Sequence, residues 1–180
     1  MNVETHQTPS QRGMYVEEKI HENLINHFIA ALRENDIREI YGRSVCGIDH
    51  LFIDNEYNKV VAIQTKYHSK NIGLKDCNHF IKCCYDVYQK EKIPMICILL
   101  SKTNLTKIGM ESFGNENIHA ENLTFQLIQG ENEYEMIKNL NDFLCNCDCM
   151  KEYLLGKRKY MAFCEKYNFN IHYQKKKRLL

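Results

Sequence analysis

Asp49, Gln64 and Lys66 are the residues of this chain whose types and spacing could do chemistry together. They lie in GIDHLFIDNEYNKVVAIQTKY, residues 47 to 67. The run reads as a strand with a carboxylate near its start, a polar turn at DNEYNK, and an apolar return strand ending in Q-T-K. Side chains alternate faces along a strand, so Gln64 and Lys66 point the same way. A tight antiparallel turn brings that face close to Asp49. A carboxylate, an amide oxygen and an ammonium converging there can hold a hard divalent cation and polarise a water beside a phosphate. An ordinary amphipathic hairpin can show the same pattern, so the context has to separate the two readings.

Val60, Val61, Ala62 and Ile63 form an apolar run leading directly into Gln64. Such a run predicts a buried central strand. A lysine ending that strand sits at the rim of a core, where charge is costly unless it is used or paired. Upstream, Ile20, Leu24, Ile25, Phe28, Ile29 and Leu32 mark one stripe of a helix expected from about Met14 to Glu34. At about 100° per residue the stripe centre lies nearer Glu17 than Glu18. Glu17 is therefore the acid expected to face the sheet, with Glu18 as the alternative. Both could also be solvated acids of a first helical turn.

The other elements follow in order. Asp36 to Arg43 reads as a connection with a short strand. Residues 74 to 92 have helical spacing, and Pro94 opens a buried strand in PMICILLSK. A helical or irregular link, the strand LTFQLIQG and the helix NEYEMIKNLNDFL complete the pattern. Strands alternating with helices imply an α/β fold with a mixed sheet.

G-I-D, the strand turn, A-I-Q-T-K-Y, and then I-G-L-K-D before a helix resemble the Mrr-like, restriction-endonuclease-like branch of the PD-(D/E)xK nucleases. The resemblance spans roughly residues 13 to 140. It implies a nuclease-like core, a central mixed β-sheet flanked by helices. It also implies Mg²⁺-dependent hydrolysis of DNA, with Mn²⁺ able to substitute. Gln64 stands where many members carry an acid. Members also place a Glu on the first helix beside the metal, and MYVEEKIHENLINHF offers Glu17 and Glu18. The implied roles put Asp49 as bridging ligand, Gln64 as carbonyl ligand and Glu17 as the third, direct or through water. Lys66 would orient or deprotonate the attacking water and stabilise the phosphate. The alternative is a catalytically weak or inactive nucleic-acid-binding module of a larger DNA-processing enzyme.

With 180 residues, one compact domain can bury a core without disulfides. The expected organisation is a loose polar tail over 1–12, a nuclease-like domain over 13–145, and a basic, aromatic extension over 146–180 packed on it. Nine cysteines, several in apolar stretches, suit a reducing compartment, cytoplasm or nucleus. No apolar run is long enough for a membrane span, and no secretory signal is visible. The net charge is +1, from 24 basic and 23 acidic residues. Binding to DNA, the expected partner, must then come from charge placement. A second copy of the chain, as in a homodimer, is a further candidate partner. Lys157, Arg158 and Lys159 form one basic cluster, and Lys175, Lys176, Lys177 and Arg178 another. Interleaved with Tyr and Phe, they can grip a phosphate backbone and stack bases, or serve as an import signal. Lys70, in YHSKN just past the Q-T-K strand, is a further candidate phosphate contact. Cys145, Cys147 and Cys149 lack the C-x2-C spacing of structural zinc sites and read as free thiols.

Overall fold

The structure, a computed structural model, describes residues 8–27, 31–54, 59–119 and 121–146. Helix α1 runs Pro9–His27, strand β1 Leu32–Arg33, helix α2 Glu34–Tyr41, strand β2 His50–Asp54 and strand β3 Lys59–Lys66. Helix α3 (Leu74–Glu91), strand β4 (Met95–Ser101), helix α4 (Lys107–His119), strand β5 (Leu123–Gln129) and helix α5 (Glu133–Asn146) complete it. The five strands form one sheet in the order β1-β2-β3-β4-β5. Pairing is antiparallel from β1 to β3 and parallel from β3 to β5. The molecule is thus an α/β protein with a mixed sheet flanked by helices, the expected class.

Strand β3 is central, and every residue from Val60 to Thr65 is buried. This is the consequence of its apolar run, since a strand covered on both faces gains by being apolar throughout. Alternation sends its side chains into two cores. Val60 and Ala62 join Leu51, Met95, Cys97, Leu99 and Phe125 under α2, α3 and α4. Val61 and Ile63 join Phe52, Ile96, Ile98 and Leu100 under α1 and α5. Each large apolar side chain buried this way contributes about 1.5–3 kcal/mol. On the second face, Asn23 of α1 and Asn141 of α5 exchange amide hydrogen bonds at 2.8 and 3.1 Å. That reciprocal pair fixes how the two helices lie beside each other, and hence which residues of α1 reach the sheet.

The first helix departs from its expected limits at both ends. It begins at Pro9, inside the stretch read as a tail, with Pro at the helix's first position, where it lacks no needed donor. It ends by His27 instead of running to Glu34. Leu32, read as part of the helical stripe, is buried as a strand residue paired with Leu51. Residues 34–41 are helical where a connection with a short strand was expected, and the strand comes just before them. The Arg33 N–H donates to the Asp36 carboxylate at 3.1 Å, satisfying a free donor at the start of α2. Gly42, at φ 97°, ends that helix in a conformation other residues rarely adopt. The link after β4 is helical as α4.

Candidate active site

The β2–β3 register decides which side chains meet. His50 pairs with Ile63, and the Asp49 N–H donates to the Ile63 carbonyl at 2.9 Å. Asp49 therefore sits just past the ladder's last pair, against the Ile63–Thr65 stretch of β3. Leu51, two residues after Asp49, packs in the same core as Val60 and Ala62. Gln64 and Lys66 share a face by alternation, and Asp49 lies near them at one end of the sheet, bonded to the Thr65 N–H and within the field of Lys66.

Each of the three is held differently. The Thr65 N–H donates to Asp49 Oδ2 at 2.6 Å, so one carboxylate oxygen is anchored to β3. Gln64 is only 5% exposed, and its Oε1 is buried with no hydrogen-bond partner among the described residues. A buried carbonyl without a donor costs about 1–3 kcal/mol, so an orphan of this kind asks for an explanation. Lys66 is a quarter exposed and pairs with Asp76, in the first turn of α3, at 3.4 Å.

Glu17 and Glu18 separate cleanly. Glu18 is half-exposed and makes a two-pronged contact with the Arg33 guanidinium at 2.8 and 2.9 Å, which holds its carboxyl below the usual range. Glu17 is half-buried. Burial pushes its carboxyl up, the charge of Glu34 pushes it further, and Lys66 pulls it down. Asp49 answers to the same groups. Its pKa is pushed up to about 7, first by desolvation and then by the charges of Glu17 and Glu34. The Thr65 N–H and Lys66 oppose that rise. Glu17, Glu34, Asp49 and Lys66 thus share one electrostatic neighbourhood with more negative than positive charge.

Glu34 and Asp76 had no assigned role in the sequence reading. Glu34 lay in what was taken for the end of a long helix, and no pattern set it apart. Asp76 closes the I-G-L-K-D run, and its place in a first helical turn explains it equally well.

His50, paired with Ile63, lies on the face covered by α1. It stacks on His21 of α1 with ring centroids 5.5 Å apart, and burial lowers its pKa to about 3. It is a packed, neutral histidine. Lys70 is exposed in the bend after β3, and its carbonyl accepts the Thr103 hydroxyl at 2.8 Å. Lys157, Arg158, Lys159, Lys175, Lys176, Lys177 and Arg178 lie outside the described residues, as do Cys147 and Cys149.

Set against protein-family models, curated proteins and solved structures, the chain matches none.

A hard divalent cation can be tested against the donor set. Among the described residues, no three His, Cys, Asp or Glu side chains gather closely enough to cage a metal. The set here is two acids, Asp49 and Glu17, plus the Gln64 amide oxygen. Mg²⁺ rarely takes an all-protein cage. It binds one or two carboxylates and fills its remaining positions with water and phosphate oxygens. The unpartnered Gln64 oxygen and the crowded carboxylates fit such an ion.

Proposed function

We propose that this chain is a metal-dependent DNA endonuclease of the Mrr-like PD-(D/E)xK type, using Mg²⁺ or Mn²⁺. The observation that carries this reading is the Asp49 carboxylate bonded to the Thr65 N–H at the end of β3, next to a Gln64 oxygen that is buried and unpartnered among the described residues. An amide oxygen without a protein donor is satisfied when a cation or a water meets it, and beside Asp49 a cation suits both oxygens. The sheet order and the Q-T-K strand end are consistent with the nuclease core.

Asp49, Gln64 and Glu17 are the residues that would hold the ion. Asp49 keeps one oxygen on the Thr65 N–H, which leaves the other free to bind. When bound, the ion neutralises phosphate charge and eases deprotonation of the attacking water. Lys66 places a positive charge beside the scissile phosphate and orients the water. Charge developing on the phosphoryl oxygens is stabilised by a donor that is already in place. Asp76 positions the Lys66 ammonium. Gln64 makes the site one negative charge poorer than a Glu would, so metal affinity is correspondingly lower. DNA would reach the site past Lys70. Cys77, Cys83, Cys84 and Cys97 are buried free thiols, which suits a reducing compartment.

The Lys66–Asp76 pair also favours a second reading, a nucleic-acid-binding module that does not cut. A lysine neutralised by a neighbouring acid can be simply structural. Lys66→Ala, compared with the parent for plasmid nicking and for DNA affinity, tests the proposal. Lost nicking with retained affinity supports the nuclease. Binding without metal-dependent nicking by the parent supports the module.

A further inference from the structure

On the far side of the loop that leads to Asp49, two thiols flank one imidazole. His79 Nε2, on the exposed side of α3, lies 3.6 Å from Cys46 Sγ and 3.9 Å from Cys83 Sγ. Cys46 is exposed and Cys83 is buried. The Cys83 thiol donates to the Ser44 carbonyl at 3.3 Å, so it reaches into the loop that carries Cys46. Gly47 makes this packing possible. A Cβ there would stand 2.8 Å from His79 Cδ2, 3.0 Å from Nε2 and 3.1 Å from Cys83 Sγ. Glycine thus lets the backbone sit directly on the histidine–thiol cluster.

We propose that Cys46 is an oxidant-sensitive thiol, with His79 as its proton acceptor and Cys83 as the resolving thiol. The thiolate is the reactive form of cysteine, and His79 Nε2 stands within reach of the Cys46 thiol proton. Accessible thiolates beside a second cysteine are the ones that oxidise reversibly. Burial holds Cys83 in the thiol form, which suits a partner that reacts second. A peroxide is the co-reactant. Cys46 first gives its proton to His79 Nε2. Its sulfur then attacks the peroxide: an S–O bond forms, the O–O bond breaks, and water leaves with the proton from His79. The Cys83 sulfur next attacks the resulting sulfenic sulfur. An S–S bond forms, the S–O bond breaks, and a second water leaves with the Cys83 proton. Two thiols and one peroxide give one disulfide and two waters. The disulfide would tie the loop at 46 to α3, three residues before Asp49.

The test is thiol mapping on the full chain, independent of any nuclease activity. Purified protein is treated with an equimolar amount of hydrogen peroxide at pH 7, quenched by alkylation, digested and read by mass spectrometry. A Cys46–Cys83 disulfide, reversed by dithiothreitol, is expected to form before other cysteines react. Cys83→Ser should stop at a Cys46 sulfenic acid trapped by a dione probe. His79→Ala and His79→Gln should slow Cys46 alkylation on the order of tenfold. His79 is exposed, so both variants should keep the parent's thermal melt. Unchanged Cys46 reactivity in both histidine variants, or a disulfide joining Cys46 to a different cysteine, overturns the proposal.

Discussion

Asp49 and Thr65 are joined by a 2.6 Å hydrogen bond from the Thr65 N–H to the Asp49 carboxylate. That bond extends the β2–β3 ladder with a side chain. It also sets an acid at the end of an apolar strand, where water is scarce and two further acids are near.

The titration of Asp49 follows from that setting. Its folded pKa of about 7 lies above the ordinary 3.8. Folding therefore favours the protonated form. The stabilisation is fully present below about pH 4, falls as pH rises from 4 to 7, and is gone above 7. Its size is on the order of 4 kcal/mol. Asp49→Asn mimics the neutral acid and keeps an oxygen for the Thr65 N–H. The variant should melt near the parent at pH 4.5 and well above it at pH 8, without metal. Thermal melts across that range check this. A constant difference would show that Asp49 is not desolvated.

Gln64 can be turned into its acidic counterpart. Gln64→Glu adds a negative charge beside Asp49 and should tighten Mn²⁺ binding by tenfold or more, about 1.4 kcal/mol. Isothermal titration measures it. Gln64→Leu removes the orphan oxygen and should leave metal-free stability unchanged or higher while weakening Mn²⁺ binding. Equal Mn²⁺ affinity in all three proteins would remove Gln64 from the site.

The two glutamates of α1 should part in function. Glu17→Gln should lose metal affinity. Glu18→Gln should keep it and cost at most about 1 kcal/mol, because the Glu18–Arg33 pair is half-exposed. Denaturant melts and metal titration of the two variants distinguish them. The reverse pattern would reassign the helix acid.

The basic end of the chain is testable without a structural description. Deleting residues 175–178 removes four positive charges. If they track phosphates, the slope of log affinity against log salt should flatten by about 0.9 per lost contact on duplex DNA. Affinity should fall alike for all sequences. Identical slopes before and after truncation would make the segment idle in binding.

Much of this site was legible because strands have a period of two. The apolar run at 60–63 marked a central strand, and alternation put Gln64 and Lys66 on one face. The turn then had to return Asp49 to them. The helix stripe at Ile20 and Leu24 favoured Glu17 over Glu18; in the structure Glu18 pairs with Arg33, while the charge of Glu17 acts on Asp49. Chain direction after His27 was not legible. Leu32 fits a helical stripe and a buried strand equally well, and only its pairing with Leu51 decides. The start of α2 was hidden because Arg33, not Ser or Thr, holds the cap position that Asp36 serves. Glu34 and Asp76 act through space from other elements, which no local spacing reports.

The central claim is metal-dependent hydrolysis by this cluster, and plasmid nicking measures it most directly. Supercoiled DNA is incubated with the parent chain, Asp49→Asn and Lys66→Ala, each with Mg²⁺, with Mn²⁺ and with excess EDTA. The parent should nick with either ion and stop with EDTA. Both variants should lose at least a hundredfold in rate, with Lys66→Ala keeping its DNA affinity. Nicking that survives EDTA, or that both variants retain at the parent's rate, would contradict it.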